Sequence, residues 1–312
     1  MKEVVLITGA KGMLAKKLAK HLEKDYSIRF LTRHKTRSNE YVWDLNSNYI
    51  DTNALTGVHH IIHLAGASIA TNRWTNKRKK NILTSRVNSA ELLLQELKKL
   101  NVVIESFISA SAIGYYGFNT TEKVLDEKAP KGNDFLSDVC FKWESAAEAF
   151  KSNGVANKIA IIRIGIILAK NNGALNKIMR PIKYGLGSSL GSGNQYISWI
   201  HISDLNRLFK FVLDDKTVEG TFNGVSSNYV TNRELTKMIA KKLKRPIILP
   251  NIPQFIVKLV FGEMSTILLN GSKISSQKIS DTGFRFEYDK INSALNDLIV
   301  NTPVSADIKL NN

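Results

Sequence analysis

Two sets of residues in this sequence have the types and spacing to do chemistry. The first is Thr8-Gly9-Ala10-Lys11-Gly12-Met13-Leu14-Ala15. Gly9 permits a tight turn, Gly12 lets the backbone approach a ligand, and Ala15 is small enough for a helix to pack on the preceding strand. These are the requirements of a turn that cradles a dinucleotide pyrophosphate at a helix N-terminus. The spacing is G-x-x-G-x-x-A, and it means something only between a strand and a helix. The second set is Ser109, Ser111, Tyr115 and Tyr116, within Ser-Ala-Ser-Ala-Ile-Gly-Tyr-Tyr-Gly at 109–117. Hydroxyls gathered at a strand end can hold a carbonyl or hydroxyl oxygen and exchange a proton with it.

The elements that must position these groups are legible as periodicity. Val4-Val5-Leu6-Ile7 is a continuous apolar run, the pattern of a parallel strand buried on both faces. Leu14, Leu18 and Leu22 follow at helical spacing. Residues 27–32 form the second strand and Val42–Leu45 end a third. His59 to Ala67 reads as a fourth strand finishing in small residues, residues 73–100 as a helix, Val102–Ser109 as a fifth strand, and Lys158–Ile167 as a sixth. Strands alternating with helices predict an α/β fold, a Rossmann-type doubly wound parallel sheet. After Ala169 the texture changes to a glycine-rich loop at 185–193. A returning strand is expected at Gly220–Val225 and helices at Asn232–Leu243 and Lys290–Ile299. The expected organisation is a nucleotide-binding domain at 1–168, completed by about 197–225, and a smaller α/β C-terminal substrate domain from 169–196 and 226–312.

The cofactor contacts expected from this layout are Thr8, Gly9, Lys11, Gly12, Met13 and Leu14 in the first turn, Leu64, Ala65 and Gly66 after the fourth strand, and Ser109. The residue just past strand two meets the adenosine ribose: an acid there binds the NAD 2′-hydroxyl, an arginine accommodates the NADP 2′-phosphate. Here it is Arg33, with Lys35 and Arg37 nearby and no acid until Glu40. NADP(H) is therefore expected over NAD(H). Asp44 is placed to meet an adenine edge or to cap a turn. His63 reads as a satisfied strand-end histidine, and no cluster has metal-ligand spacing. Arg73, Trp74, Arg78 and Tyr184 are expected on the substrate side. Trp199 and His201 should pack the domain junction, with Asp204 capping the next helix.

Bulk properties narrow the class. At 43% apolar residues the composition is globular. The apolar run at 159–169 is interrupted by Arg163 and is too short to span a bilayer. The N-terminus lacks a signal-peptide pattern, and the single cysteine, Cys140, excludes an internal disulfide, so a cytoplasmic setting is expected. The net charge of +17 comes from scattered lysines and arginines without a nucleic-acid motif. The partner expected is a small molecule and not a specific nucleic acid. A homodimer is compatible with the sequence.

Taken together, TGAKGMLA at 8–15, HLAGA at 63–67, Asn88, SASAIGYYG at 109–117, Arg163-Ile164-Gly165 and GSGNQYISWIHISDL at 191–205 resemble the extended short-chain dehydrogenase/reductase superfamily. Arg73-Trp74-Thr75, Ser85-Arg86, Asp134-Phe135-Leu136, Trp143-Glu144, Gly173-Ala174-Leu175 and the tail Gly271-Ser272…Gly283-Phe284-Arg285-Phe286 resemble one branch of it. That branch is the nucleoside-diphosphate-sugar-epimerase-like family of cell-division-inhibitor homologues, with its characteristic C-terminal domain. The resemblance covers nearly the whole chain and implies the fold and cofactor more directly than a reaction.

Superfamily enzymes place a Ser or Thr after strand five and a Tyr-x-x-x-Lys pair on the next helix. The lysine there lowers the tyrosine pKa from about 10 toward neutrality. In this chain no tyrosine is followed four residues later by lysine. Aligned on Glu144, the tyrosine position holds Leu136 and the lysine position Cys140, on an apolar helical face with Val139 and Trp143. Two functions are compatible with this. In the first the chain is an NADP(H)-dependent, epimerase-like oxidoreductase in which Ser111, Tyr115 and Tyr116 are the catalytic candidates. In the second it binds NADP(H) without turnover, as a redox sensor or scaffold.

Overall fold

The computed structural model describes residues 2–300. The chain opens with β1 (Val4–Thr8), α1 (Met13–Leu22), β2 (Ser27–Thr32), β3 (Glu40–Asp44), β4 (Tyr49–Ile50) and β5 (His60–His63). Then follow α2 (Asn76–Lys99), β6 (Ile104–Ala112), β7 (Val124–Leu125), α3 (Phe135–Ser152), β8 (Ala156–Ile164), β9 (Ile166–Ala169) and α4 (Gly173–Lys183). The remainder holds β10 (Tyr196–Ile197), β11 (Trp199–His201), α5 (Ile202–Asp214), β12 (Gly220–Gly224), β13 (Val230–Thr231), α6 (Asn232–Lys242), α7 (Gln254–Phe261) and β14 (Lys273–Ile274), with short helical turns between and after them.

The main sheet has eight strands in the order β12-β8-β6-β5-β1-β2-β3-β4. Its pairings are parallel except for the β3–β4 hairpin. From β1 the chain winds outward through β2 and β3, then returns to pair β5 on the other side of β1. The C-terminal ends of β1 and β5 therefore flank the topological switch point, where ligands bind in such sheets.

Alternation on the strands divides the core. Val5 and Ile7 face the layer of α1 and α5, packing with Leu18, Leu22, Leu205 and Phe209. Leu6 faces the layer of α2 and α3, packing with Leu93, Leu97 and Phe150. The α1 helix forms because Ala15, Leu18, Ala19 and Leu22 make one buried stripe. A separate cluster, including Leu175, Ile182, Trp199, Leu235 and Ile239, joins α4, β11 and α6.

The expected sixth strand is two strands. A Cβ on Gly165 would lie 2.6 Å from the Ser198 carbonyl oxygen and 2.7 Å from Val225 Cγ1. Only glycine allows that approach, and there the chain leaves β8 for β9, which pairs with β11 instead of the main sheet. The fourth strand stops at His63, and α2 begins at Asn76, capped by the Thr75 hydroxyl accepting from Arg78 N–H. Helices α4 and α7 fall in stretches without an expected helix. In α4 the positive-φ Gly173 at the start and Pro181 inside obscure the helical pattern. The last helix is shorter than expected: Ile291–Leu295, continued by a π-turn at Asn296–Val300. Residues 301–312 of the expected C-terminal domain lie outside the described residues. No helix among the described residues is long and apolar enough to cross a membrane.

Candidate active site

The first β/α turn leaves the start of α1 without a side-chain cap. Gly9 has φ +75°, and a Cβ there would lie 2.9 Å from the Leu64 carbonyl oxygen, so the turn is pressed against the end of β5. Gly12 N–H donates to Gly9 O at 2.8 Å. Gly12 is also the N-cap of α1, so no side chain caps the amides of Met13 and Leu14, and the first turn carries no acid. Free amides at a helix start form an anion site, so the residues present fit a dinucleotide pyrophosphate.

Thr8 serves the fold. It is fully buried, and its Oγ1 accepts from Leu64 N–H and Ala65 N–H, each at 2.9 Å. Its proton then goes to His63 Nδ1, 3.1 Å away, which leaves His63 Nε2–H to donate to Ser89 Oγ at 3.1 Å. Burial pushes His63 down to about 4, so the ring is neutral and ties β1, β5 and α2 together. Asn88 is exposed; its neighbours Ser85 and Ser89 face the 63–67 loop.

Thr8 pairs with Leu31 in the β1–β2 register, so Lys11 and Arg33 emerge from the same end of neighbouring strands. Both are exposed, and Arg33 has no hydrogen-bond or ion-pair partner among the described residues. The nearest following acid is occupied: Glu40 Oε2 accepts from Thr36 N–H at 2.7 Å, Thr36 Oγ1 at 2.8 Å and Arg37 N–H at 3.2 Å. Those bonds, led by the Thr36 amide, hold its pKa below the usual carboxylate range. An open groove of about 530 Å³ runs beside α1, lined by Lys11, Lys16, Lys20 and Arg37. Asp44 does not present a free carboxylate there. Its oxygens accept from Asn46 N–H and Ser47 Oγ, each at 3.0 Å, which fixes the β3–β4 turn and lowers its pKa.

The strand-end hydroxyls after β6 are, by contrast, mostly engaged. Ser109 is buried and donates to Ala110 O at 2.9 Å, so its hydroxyl proton is committed to backbone. Ser111 donates to Glu144 Oε1 at 2.6 Å. Glu144, on the buried face of α3, is held by Arg163 of β8 in a two-point pair: Nε to Oε1 at 2.9 Å and Nη2 to Oε2 at 2.8 Å. Arg163 Nη1 donates to Tyr116 Oη at 3.0 Å, and Tyr116 donates to Asn223 Oδ1 at 2.7 Å. Burial pushes the Tyr116 phenol up to about 12. The Tyr116 hydroxyl is thus committed on both sides, as a strut of the network. Tyr115 differs: its ring lies under the Arg163 guanidinium at 3.4 Å, and its hydroxyl has no protein partner among the described residues.

Below this turn lie the residues that replace the expected proton-transfer pair. A Cβ on Gly114 would be 3.5 Å from Leu136 Cβ and 3.7 Å from Cys140 Sγ. Cys140 is buried and free, and burial pushes its thiol up to about 12, so it is a packing residue.

Several further expectations change. Arg73 donates to Val260 O at 2.9 Å and to Leu259 O; Arg78 donates to Thr71 Oγ1 at 2.9 Å and to Ser68 O. Both arginines brace backbone. Trp74 Nε1 donates to Ile69 O at 2.9 Å, and Tyr184 is exposed. His201, not Asp204, caps α5, accepting from Ser203 N–H at 3.2 Å. Asp204 accepts from Glu287 N–H at 2.9 Å and Tyr288 N–H at 2.8 Å, which pins the C-terminal segment to α5. Sequence reasoning gave no role to the Glu144–Arg163 pair. The available signal was an arginine in a continuous apolar strand, since a buried guanidinium requires a carboxylate. Among the described residues no group of three His, Cys, Asp or Glu is placed to hold a metal.

Comparison with known proteins matches residues 5–223 to the NAD-dependent epimerase/dehydratase family and residues 252–298 to a domain of unknown function, DUF1731. The chain is 34% identical over 301 residues to the chloroplastic epimerase family protein SDR39U1 homolog of Arabidopsis thaliana, covering 93% of this chain and 85% of that one. It is 33% identical over 298 residues to an epimerase family protein of Mycobacterium leprae, covering 94% and 95%. Among solved structures, human epimerase family protein SDR39U1 with NADPH superposes with a TM-score of 0.84 at 27% identity, covering 96% of this chain and 100% of that one.

Proposed function

The chain belongs to the NAD-dependent epimerase/dehydratase family, and from that premise we propose that it is an NADP(H)-binding, epimerase-like oxidoreductase acting on a small carbonyl or hydroxyl compound. The observation that carries this reading is the uncapped start of α1 beside two exposed cations, Lys11 and Arg33. The amides of Met13 and Leu14 would hold the pyrophosphate, with Gly12 letting it approach, and Lys11 with Arg33 the 2′-phosphate. Glu40, the nearest following acid, is locked in its own loop and does not compete for the ribose. The backbone of Leu64, Ala65 and Gly66 would lie against the nicotinamide half. When bound, the nicotinamide supplies or accepts a hydride. That the human relative was solved with NADPH supports the choice of nucleotide.

On the substrate side the reading assigns two residues. Ser111 gives its proton to Glu144, so its oxygen is an acceptor and would orient a substrate hydroxyl. Tyr115 has the uncommitted phenol, and Arg163, 3.4 Å from its ring centroid, would hold the ring in place. The proposed division is a nucleotide-binding unit of 1–168 and about 197–225, with 169–196 and 226–312 as the smaller substrate-binding unit. The buried, unpaired Cys140 suits a reducing compartment, and we place the protein in the cytoplasm.

A second reading follows from the apolar Leu136 and Cys140 face: the chain binds NADP(H) and does not turn it over. A carbonyl-substrate panel with NADPH separates the two. Turnover abolished by Ser111→Ala and Tyr115→Phe is the result the enzyme reading expects. Tight NADPH binding with no oxidation across the panel favours the second.

A further inference from the structure

A cation in the cleft is left over when these roles are assigned. Arg86, on the face of α2 that meets the 63–67 loop, is mostly buried and stacks over the Trp143 ring at 5.0 Å. Its Nη1 donates to Ala67 O at 3.1 Å and Ile82 O at 2.8 Å. The other edge, Nε with Nη2, has no protein acceptor among the described residues, and neither atom is closed off from solvent. No carboxylate among the described residues lies within ion-pair distance of it. Burial lowers its pKa to about 10, so it stays cationic at neutral pH. Beside it, Trp143 Nε1 is a buried donor that also lacks an acceptor.

A glycine lets the 63–67 loop pack on the face of this guanidinium. A Cβ on Gly66 would stand 2.9 Å from Arg86 Cζ, 3.1 Å from Nη2 and 3.2 Å from Nε. Gly66 follows β5 at the switch-point end of the sheet. Trp143 and Cys140 lie one helical turn apart on α3, and Cys140 lies under Gly114. The guanidinium is thus held between the 63–67 loop and the Trp143 face of α3.

We propose that the Nε–Nη2 edge of Arg86 is an oxyanion-binding site, taking a carboxylate or phosphate group of a bound ligand in a two-point contact. A guanidinium edge matches the two oxygens of such a group, and a desolvated cation without a counter-charge gains most from one. The oxyanion has two sources. It is a carboxylate or phosphate on the substrate, held so that the reacting carbon lies toward Ser111 and Tyr115, or it is the pyrophosphate of the nucleotide itself. The inference rests on the nucleotide-binding reading above and adds a recognition group to it.

The test is calorimetric titration of the full chain at constant ionic strength, with oxalate and inorganic phosphate as probes, with and without NADPH, for wild type, Arg86→Gln and Arg86→Lys. A substrate-side site predicts that wild type binds a probe with or without NADPH, and that both variants weaken it about 10-fold to 100-fold. NADPH affinity then stays within about threefold. A nucleotide-side site predicts that Arg86→Gln weakens NADPH by the same factor and that NADPH displaces the probe. Probe and NADPH affinities that are all unchanged in Arg86→Gln overturn the proposal. Arg86→Lys keeps the charge and the reach to the carbonyls but not the two-point edge, so it carries the same readouts if the glutamine variant does not fold. Failure of wild type to bind NADPH would overturn the nucleotide reading alone, and the nucleotide-free probe titrations would still decide on Arg86.

Discussion

The two walls of the cleft treat their polar groups in opposite ways. On the nucleotide side the α1 amides are uncapped, Lys11 and Arg33 are exposed, and Glu40 is turned into its own loop. On the β6 side Ser111, Glu144, Arg163, Tyr116 and Asn223 satisfy one another in a closed chain. An open polar wall waits for a ligand, whereas a closed one holds the fold. Only the Tyr115 hydroxyl beside that chain has no partner among the described residues, and the buried Ser111 oxygen, its proton given to Glu144, keeps capacity to accept. The lesson is that a hydroxyl at the right strand end is not yet a catalytic group; its proton must be uncommitted.

The sharpest way to break the comparison is to open the closed wall. Glu144→Ala leaves Arg163 buried and unpaired and should cost about 3–5 kcal/mol in chemical denaturation. Glu144→Leu combined with Arg163→Met should recover most of that loss. A single-variant cost under about 1 kcal/mol would mean the network is not what holds this wall.

Acid should reach the junction of the two walls next. His63 has a folded pKa of about 4 against an ordinary value near 6.5, and burial lowers the His60 and His201 pKa values as well. Below pH 6.5 the unfolded chain binds more protons than the folded one. Stability is therefore full above that pH and falls as the pH drops toward 4, by about 3 kcal/mol from His63 alone. Melting curves from pH 7 to pH 4 should fall more steeply for wild type than for His63→Gln. Parallel curves would show that His63 is not buried neutral.

On the open wall, Arg33→Ser should weaken NADPH about tenfold and leave NADH unchanged, by titration, because only one nucleotide carries the extra phosphate. Equal loss for both would place Arg33 away from the 2′-phosphate. The smallest effect expected is on stability in Tyr115→Phe. With no partner to lose, it should stay within about 0.5 kcal/mol while turnover falls, whereas Tyr116→Phe should cost about 1–2 kcal/mol by unpairing Asn223 and Arg163.

What was legible in the sequence follows the same division. The first strand, the glycine turn and the order of strands and helices could be read because each rests on local chemistry: apolar runs, small residues and helical spacing. The break at Gly165 could not, since it depends on Ser198 and Val225 arriving from far along the chain. The same holds for the exchange of roles between His201 and Asp204, decided by the backbone at 287–288. Tyr116 showed a suitable group whose partners, Asn223 and Arg163, were out of view, whereas Asp44 bonds within its own turn, one of the two roles its sequence position offered. Arg86 stood in the sequence only as a marker of resemblance, because a missing partner is visible only once its surroundings are built.

The central claim is that the open wall is a site for NADP(H), and titrating wild type with NADPH and NADH side by side tests it most directly. The account predicts saturable NADPH binding at least about tenfold tighter than NADH. No binding of either nucleotide, or NADH binding as tightly as NADPH, would contradict it.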